Sequence, residues 1–259
     1  MTGGGSVLAL VLMEWGIGWI GAAAWSQSWN VIRRGHFRIT ASITFVLAIA
    51  GALALRGAST STATDELALG FAVAAFLYLL VQYVRSDVAG VVAGGVATIL
   101  GLGALIAATG MIAGWPQLLA AVELIAGAAL LGGVTNGMML GHWYLNQPGL
   151  KPWALARLTD LSVGATVAAG VAGLLAVRLL AGASTTGAAL GLPSFGGSFG
   201  LGFYLVWAVL IVFTGAVLLG ARRCVQIRSI QSATGLYYVA LLTAGVAEFL
   251  VRYLMVNAK

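Results

Sequence analysis

Long apolar runs separated by short polar breaks dominate this chain. A helix needs about 20 mostly apolar residues to cross a bilayer, and eight stretches approach or exceed that length: residues 6–28, 39–55, 67–84, 88–111, 117–141, 160–182, 199–220 and 230–255. The second stretch is short, but it can extend back through Phe37. The pattern predicts an all-α, polytopic integral membrane helix bundle of about eight transmembrane helices, forming a single domain over residues 1–259.

Composition supports a membrane protein over a water-soluble one. Hydrophobic residues make up 61% of the chain and charged residues only 8%, whereas a soluble domain carries about 25% charged residues. The chain has 37 glycines, and small residues let transmembrane helices pack closely. Gly90 and Gly94, four residues apart, are predicted to form such a packing face. The expected partner is therefore the lipid bilayer, and the net charge of +6 is not interpreted as a nucleic-acid-binding signal.

Basic residues alternate between the breaks and so predict the orientation. Nine of the thirteen lie after the first, third, fifth and seventh apolar runs: Arg33, Arg34, Arg38, Arg85, Lys151, Arg157, Arg222, Arg223 and Arg228. Because cytoplasmic loops are enriched in Lys and Arg, both termini are predicted on the outer (periplasmic) side of a bacterial-type inner (cytoplasmic) membrane. The first run has no basic residues before it and contains Glu14, so it is interpreted as a retained helix and not as a secretion signal.

The sequence lacks the residues that several kinds of chemistry require. The single cysteine, Cys224, excludes an intrachain disulfide. The chain has no phosphate-binding GxxxxGK[ST] loop, no dinucleotide-binding fingerprint after a strand and no HExxH pair. Both lysines, Lys151 and Lys259, lie outside the apolar runs, which argues against a retinal photoreceptor.

Three carboxylic acids lie inside predicted spans, and they are candidate catalytic residues: Glu14, Glu123 and Glu248. Ionisable groups at such depth are costly and usually functional. All three fall in the predicted outer half, where they could form a proton path that accepts protons from an oxidised hydroquinone. Arg252 lies four residues after Glu248, so the two share a helix face and can pair. The alternative is an internal ion-pair network that holds the helices together.

The two histidines, His36 and His142, lie at similar depth in the predicted inner half. Two helices that each supply an imidazole can hold a haem iron between them, so both are candidate metal ligands for one haem b. Gly35 and Gly141 are expected to leave room for the macrocycle. Arg34 and Arg38 could pair with its propionates; Tyr144 and Gln231, at the same depth, complete the candidate cofactor-binding set. A quinone or proton-handling role is an alternative, and so is an interfacial histidine whose ring bonds a backbone carbonyl.

These features predict an integral membrane subunit of a respiratory or photosynthetic electron-transfer complex, with haem b and/or a quinone as cofactors and other membrane or peripheral redox subunits as partners. A non-catalytic or quinone-reactive subunit is favoured over a free-standing enzyme because no soluble domain is predicted. In helix count and topology alone, the chain is similar to the polytopic quinone-reactive anchor subunits of bacterial oxidoreductases.

Two further classes stay open: a proton-coupled transporter or channel, and a cofactor-free structural scaffold subunit. Against transport, no internal repeat is expected. The stretches at 38–53 and 157–175 resemble each other only as small-residue helices do in general.

Overall fold

A computed structural model describes residues 1, 3–84, 86–112, 115–180 and 198–257, without the side chains of 177–180 and 198–200. Arg85, Lys259 and most of the break between the sixth and seventh apolar runs therefore lie outside the described residues, and so does the side chain of Arg178. The described residues form eight helices and no strand: α1 (Gly3–Gln27), α2 (Arg34–Ala58), α3 (Thr62–Val81), α4 (Asp87–Thr109), α5 (Gln117–Asn146), α6 (Trp153–Leu180), α7 (Ser198–Gln226) and α8 (Ile230–Asn257). All eight are long and apolar enough to span a membrane, which confirms the predicted fold class.

Local signals place the helix starts. The hydroxyls of Ser61 and Ser86 accept hydrogen bonds from backbone N–H groups in the first turns of α3 and α4, as N-cap residues do. The predicted start of the sixth helix at residue 160 is wrong, because α6 begins at Trp153, directly after Pro152. Proline suits the first turn of a helix. Long basic side chains in the first turns of α6 can reach the polar interface.

Two ends of the bundle are distinguished by charge. The backbone N–H of Gly3 donates to Asn257 Oδ1 at 3.0 Å, so α1 begins where α8 ends. The other end of the bundle carries the breaks after α1, α3, α5 and α7, and we call it the basic end. We call the end that contains the Gly3–Asn257 contact the opposite end.

Helices α1 and α5 form the buried centre of the bundle. They cross so closely that a Cβ atom on Gly132 would overlap the backbone of Gly18. The predicted packing face on α4 is confirmed, since a Cβ on Gly90 would meet Gln27 and one on Gly94 would meet Ala24, both on α1. Close approach of backbones at small residues is the usual way in which helices associate in lipid.

The eight helices form two groups with the same order of contacts. In the first group, α1, α2, α3 and α4 each pack on the next helix, and α4 returns to α1; α5, α6, α7 and α8 do the same. The groups meet mainly where α1 packs on α5 and α8, and α2 and α4 make smaller contacts with α5. Each group thus closes on itself, with α4 against α1 and α8 against α5. The similar stretches at 38–53 and 157–175 belong to α2 and α6, the second helix of each group.

Large apolar side chains cover the outside of the bundle. Those more than 60% exposed include Val46, Leu53, Leu69, Val88, Ile99, Val167, Val209, Val212 and Leu242. A water-soluble monomer rarely exposes so extensive an apolar surface. The outer faces of the helices are therefore suited to contact with lipid.

Candidate functional site

His142 lies in the last turns of α5, where both ring nitrogens have partners. Nδ1 lies 3.0 Å from the carbonyl oxygen of Met138, and Nε2 lies 2.8 Å from the hydroxyl of Tyr238 on α8. Because a carbonyl can only accept, Nδ1 carries the hydrogen in the neutral ring. Nε2 is then the acceptor, and Tyr238 donates to it. The pair links α5 to α8 and leaves the lone pairs of the Tyr238 oxygen available.

A groove of about 780 Å³ surrounds this pair at the basic end. It lies between the end of α5 and the start of α8, and its polar lining comprises His142, Tyr144, Arg228, Ser229, Gln231, Thr234 and Tyr238. Three of the predicted cofactor-binding residues, His142, Tyr144 and Gln231, are therefore brought together. The Tyr144 hydroxyl donates to the Lys151 carbonyl at 2.8 Å, so it supports the connection after α5 and cannot donate the same hydrogen to a ligand.

His36 lies in the first turns of α2 and is buried. Its Nε2 is 3.2 Å from Asn136 Oδ1 on α5. The Asn136 amide nitrogen donates to the Ala22 carbonyl and to Ser26 Oγ on α1, both at 3.2 Å. Since the amide oxygen can only accept, His36 donates through Nε2. Asn136 thus connects three helices, and His36 completes that connection.

Replacement of Asn136 by leucine is expected to destabilise the bundle by about 2 kcal/mol, because it removes three interhelical hydrogen bonds worth roughly 0.6 kcal/mol each. Unfolding in mixed micelles of detergent and SDS measures the change. Ser42→Ala is the control, since the exposed Ser42 hydroxyl donates only within its own helix, to Arg38. A loss no larger than that of the control would contradict the role given to Asn136.

The arrangement does not fit a haem held between the two histidines. His36 contacts Asn136 and lies 5.9 Å from the ring of Trp143, whereas His142 contacts Tyr238 on α8. The space expected beside Gly35 is filled by the Trp143 indole, and the space beside Gly141 is filled by Thr234. Among the described residues, no group of three or more His, Cys, Asp or Glu side chains could hold a metal ion.

Arg34 and Arg38, the predicted partners of propionates, contact the connection between α3 and α4. Arg34 pairs with Asp87 at 3.1 Å and donates to the Val84 carbonyl. Arg38 donates to the Gln82 carbonyl at 3.2 Å. Neither residue lines the groove that contains His142, and both attach α2 to its neighbours.

The three predicted acids converge on one arginine near the opposite end of the bundle. We call Glu14 of α1, Glu123 of α5, and Glu248 and Arg252 of α8 the Arg252 cluster; all four side chains are 0% exposed. Arg252 Nε donates to Glu14 Oε1 at 2.8 Å, and Nη2 donates to Glu248 Oε2 at 2.7 Å. The predicted pairing of Glu248 with Arg252 is confirmed.

Glycine provides the room for this cluster. A Cβ atom on Gly127 of α5 would overlap the guanidinium of Arg252 and the carboxyl of Glu248. The Arg252 Nη2 also donates to the Glu123 backbone carbonyl at 2.9 Å, so the guanidinium lies directly against α5. Burying an ion costs several kcal/mol unless a partner compensates it, which makes this the most demanding electrostatic site among the described residues.

The fold and the two polar sites define an all-helical bundle of the multi-pass membrane class. The chain matches no known protein family, and comparison with curated proteins and with solved structures found no similar protein. Its function therefore has to be inferred from its own residues.

Two residues that matter here, Tyr238 and Asn136, were not among the predicted site residues. Both lie in stretches that contain polar side chains, GLYY and VTNG, at the depth of the histidines. Depth alone did not show which imidazole each would contact, since that depends on how α2, α5 and α8 are rotated against one another.

Proposed function

We propose that this chain is an integral membrane subunit of an electron-transfer complex and that it binds a quinol headgroup in the groove between α5 and α8. The observation that carries the proposal is the hydrogen-bonded chain from Tyr238 through His142 to the Met138 carbonyl. Ligand sites usually have volumes of about 300–1,000 Å³ and a few well-placed polar groups. The groove has both features.

The direction of the hydrogen bonds favours the reduced form of the ligand. Tyr238 uses its hydrogen to donate to His142, so its oxygen can accept from a ligand hydroxyl. A quinol hydroxyl supplies that donor, whereas a quinone carbonyl can only accept. When a quinol is oxidised, Tyr238 can take its proton while passing its own to His142 Nε2.

Oxidation of a quinol to a quinone releases two electrons and two protons. One proton goes to His142 through Tyr238, and the second goes to water at the open side of the groove. The two electrons pass one at a time to one-electron redox centres, of the haem or iron–sulfur class, on a partner subunit. This chain thus supplies the binding site and a proton acceptor.

The quinone tail has an apolar path from the groove. Leu242 lies one turn beyond Tyr238 on the same face of α8 and is 69% exposed. Gly235, one turn before Tyr238 within the groove lining, has open space where a side chain would stand. A headgroup beside Tyr238 can therefore place its tail along the outer face of α8.

The distance between the two sites excludes the Arg252 cluster as the direct proton acceptor for this quinol. At about 1.5 Å rise per residue, Glu123 and His142 lie about 28 Å apart along α5. A direct proton transfer needs a separation within hydrogen-bond reach. The predicted transfer from hydroquinone to Glu14, Glu123 or Glu248 would hold only for a second quinone site at the opposite end.

We also propose that the basic end faces the cytoplasm of a bacterial-type inner membrane, with both termini outside. The described residues place Arg33, Arg34, Arg38, Lys151, Arg157, Arg222, Arg223 and Arg228 at or near this end. Enrichment of cytoplasmic loops in basic residues supports that orientation.

Tyr238→Phe is expected to weaken quinol binding about three- to tenfold, because one hydrogen bond contributes about 0.5–1.5 kcal/mol and 1.4 kcal/mol is tenfold in affinity. The measurement is titration of the detergent-purified chain with decylubiquinol and a short-chain menaquinol under anaerobic conditions. The oxidised forms are titrated in parallel. Wild type should prefer the reduced form, and the variant should lose that preference.

Tyr83→Phe is the matched control, because Tyr83 is an exposed tyrosine at the basic end that does not line the groove. His142→Phe should weaken binding as Tyr238→Phe does, and the double variant should be no weaker than either single one, since the two residues act as a unit. Absence of binding by wild type, or equal affinity in Tyr238→Phe and Tyr83→Phe, would refute the proposed site.

A further inference from the structure

The Arg252 cluster is not used by the quinol site, yet it is fully buried. Its four ionisable side chains come from α1, α5 and α8, and Arg252 is their common contact. In the described part of the chain, each of the three acids forms ion pairs with this arginine alone. As far as the described side chains are concerned, the charges therefore balance almost entirely within the cluster.

The charges do not balance if every group is ionised. Three carboxylates and one guanidinium carry a net charge of −2, inside a helix bundle suited to lipid. Charged groups that lack compensation at this depth become neutral in preference to remaining buried as ions. Two protons on the three carboxyl groups make the cluster neutral.

Hydrogen bonding distinguishes Glu123 from the other two acids. Glu14 and Glu248 each accept a hydrogen bond from the guanidinium. The Glu123 carboxyl accepts none: its Oε1 lies 3.7 Å from Arg252 Nη1, and both oxygens are buried without a hydrogen-bond partner. Arg252 is therefore paired closely with Glu14 and Glu248, and Glu123 is the acid that the arginine compensates least.

Among the described side chains, groups from the neighbouring helices do not supply the missing charge. The charged side chains that interact electrostatically with Glu123 are Glu14, Glu248 and Arg252. Tyr204 of α7 is a neutral neighbour that also interacts with the Glu123 charge. Both Glu123 carboxyl oxygens are buried, and a buried Arg252 nitrogen near them also has no hydrogen-bond partner. A proton can bind at this place.

We infer that the Arg252 cluster is a proton-binding site that holds two protons in its neutral form, and that Glu123 carries the proton that is taken up and released. This inference does not rest on the proposed quinol site, since it concerns different residues at the opposite end. Glu14 and Glu248 share the second proton, and the guanidinium stabilises whichever of them is ionised.

Infrared spectroscopy of the purified chain tests the proposal directly, because a protonated carboxyl has a carbonyl-stretch band that a carboxylate lacks. Wild type should show buried carboxylic acid bands that shift in D₂O. Glu123→Gln should lose one of them, while the control Glu66→Gln, at an exposed position on α3, should lose none. Absence of such bands in wild type, or identical spectra of Glu123→Gln and Glu66→Gln, would overturn the assignment.

A pH series on the wild-type chain needs no variant and so does not depend on one folding. The acid band should fall as the pH is raised and return when the pH is lowered, while the elution profile of the folded protein stays the same. A band of constant intensity over the whole range in which the protein stays folded would overturn proton uptake and release. Neither infrared measurement uses a quinol, so its outcome is independent of the binding titrations.

Discussion

Arg252→Met should destabilise the bundle by about 3–5 kcal/mol, the loss typical when one partner of a buried ion pair is removed. The substitution keeps much of the side-chain volume but takes away the positive charge shared by Glu14, Glu123 and Glu248. The remaining acids must then all be protonated or stay buried without compensation. Unfolding in detergent–SDS mixtures measures the loss of stability. The loss of the monodisperse elution peak after heating measures it as well.

Arg56→Met is the control for this variant, because Arg56 is an exposed arginine in the last turn of α2. Glu14→Gln and Glu248→Gln, added together to Arg252→Met, should restore part of the stability, since they remove the acids that Arg252 bonds most closely. An Arg252→Met protein as stable as Arg56→Met would show that the guanidinium is not needed to hold α1, α5 and α8 together.

Gly132→Ala is expected to cost about 1–3 kcal/mol or more, the range for a side chain forced into a filled site. The added Cβ would overlap the Gly18 backbone, and backbone cannot move aside as a flexible side chain can. Because α1 and α5 are the central helices, separating them disturbs both four-helix groups. The same SDS titration measures this effect.

Gly245→Ala provides the matched control in another helix interior. A Cβ at Gly245 of α8 meets no atom within 4 Å. Alanine is favoured over glycine in a helix by about 1 kcal/mol, so this variant should be unchanged or slightly more stable. If both variants behaved alike, the close crossing of α1 and α5 would not be important for stability.

The pairing of Glu248 with Arg252 shows what helical spacing can predict. Four residues along one helix bring two side chains together whatever the neighbouring helices do, and the contact is present at 2.7 Å. The spacing says nothing about Glu14, which is 238 residues away along the chain. Only the packing of α1 against α8 brings that carboxyl to the same guanidinium.

The histidines show the opposite case. Their similar depth led to the prediction of a common ligand, but depth leaves the rotation of each helix undetermined. His36 lies against Asn136 and His142 against Tyr238, so the two imidazoles serve different contacts. The glycines beside them make room for Trp143 and Thr234. A glycine in a sequence signals a close approach, but it does not say which group approaches.

By itself, the sequence determined the membrane class, the number of helices and the unequal charge of the two ends. These properties follow from length and local hydrophobicity, because every backbone polar group in lipid must be bonded within its own helix. Only the tertiary structure decided that the helices form two like groups, that three acids share one arginine and that His142 meets Tyr238. Those contacts depend on helix rotation and crossing, which are set by side chains far apart in the chain and leave no local pattern.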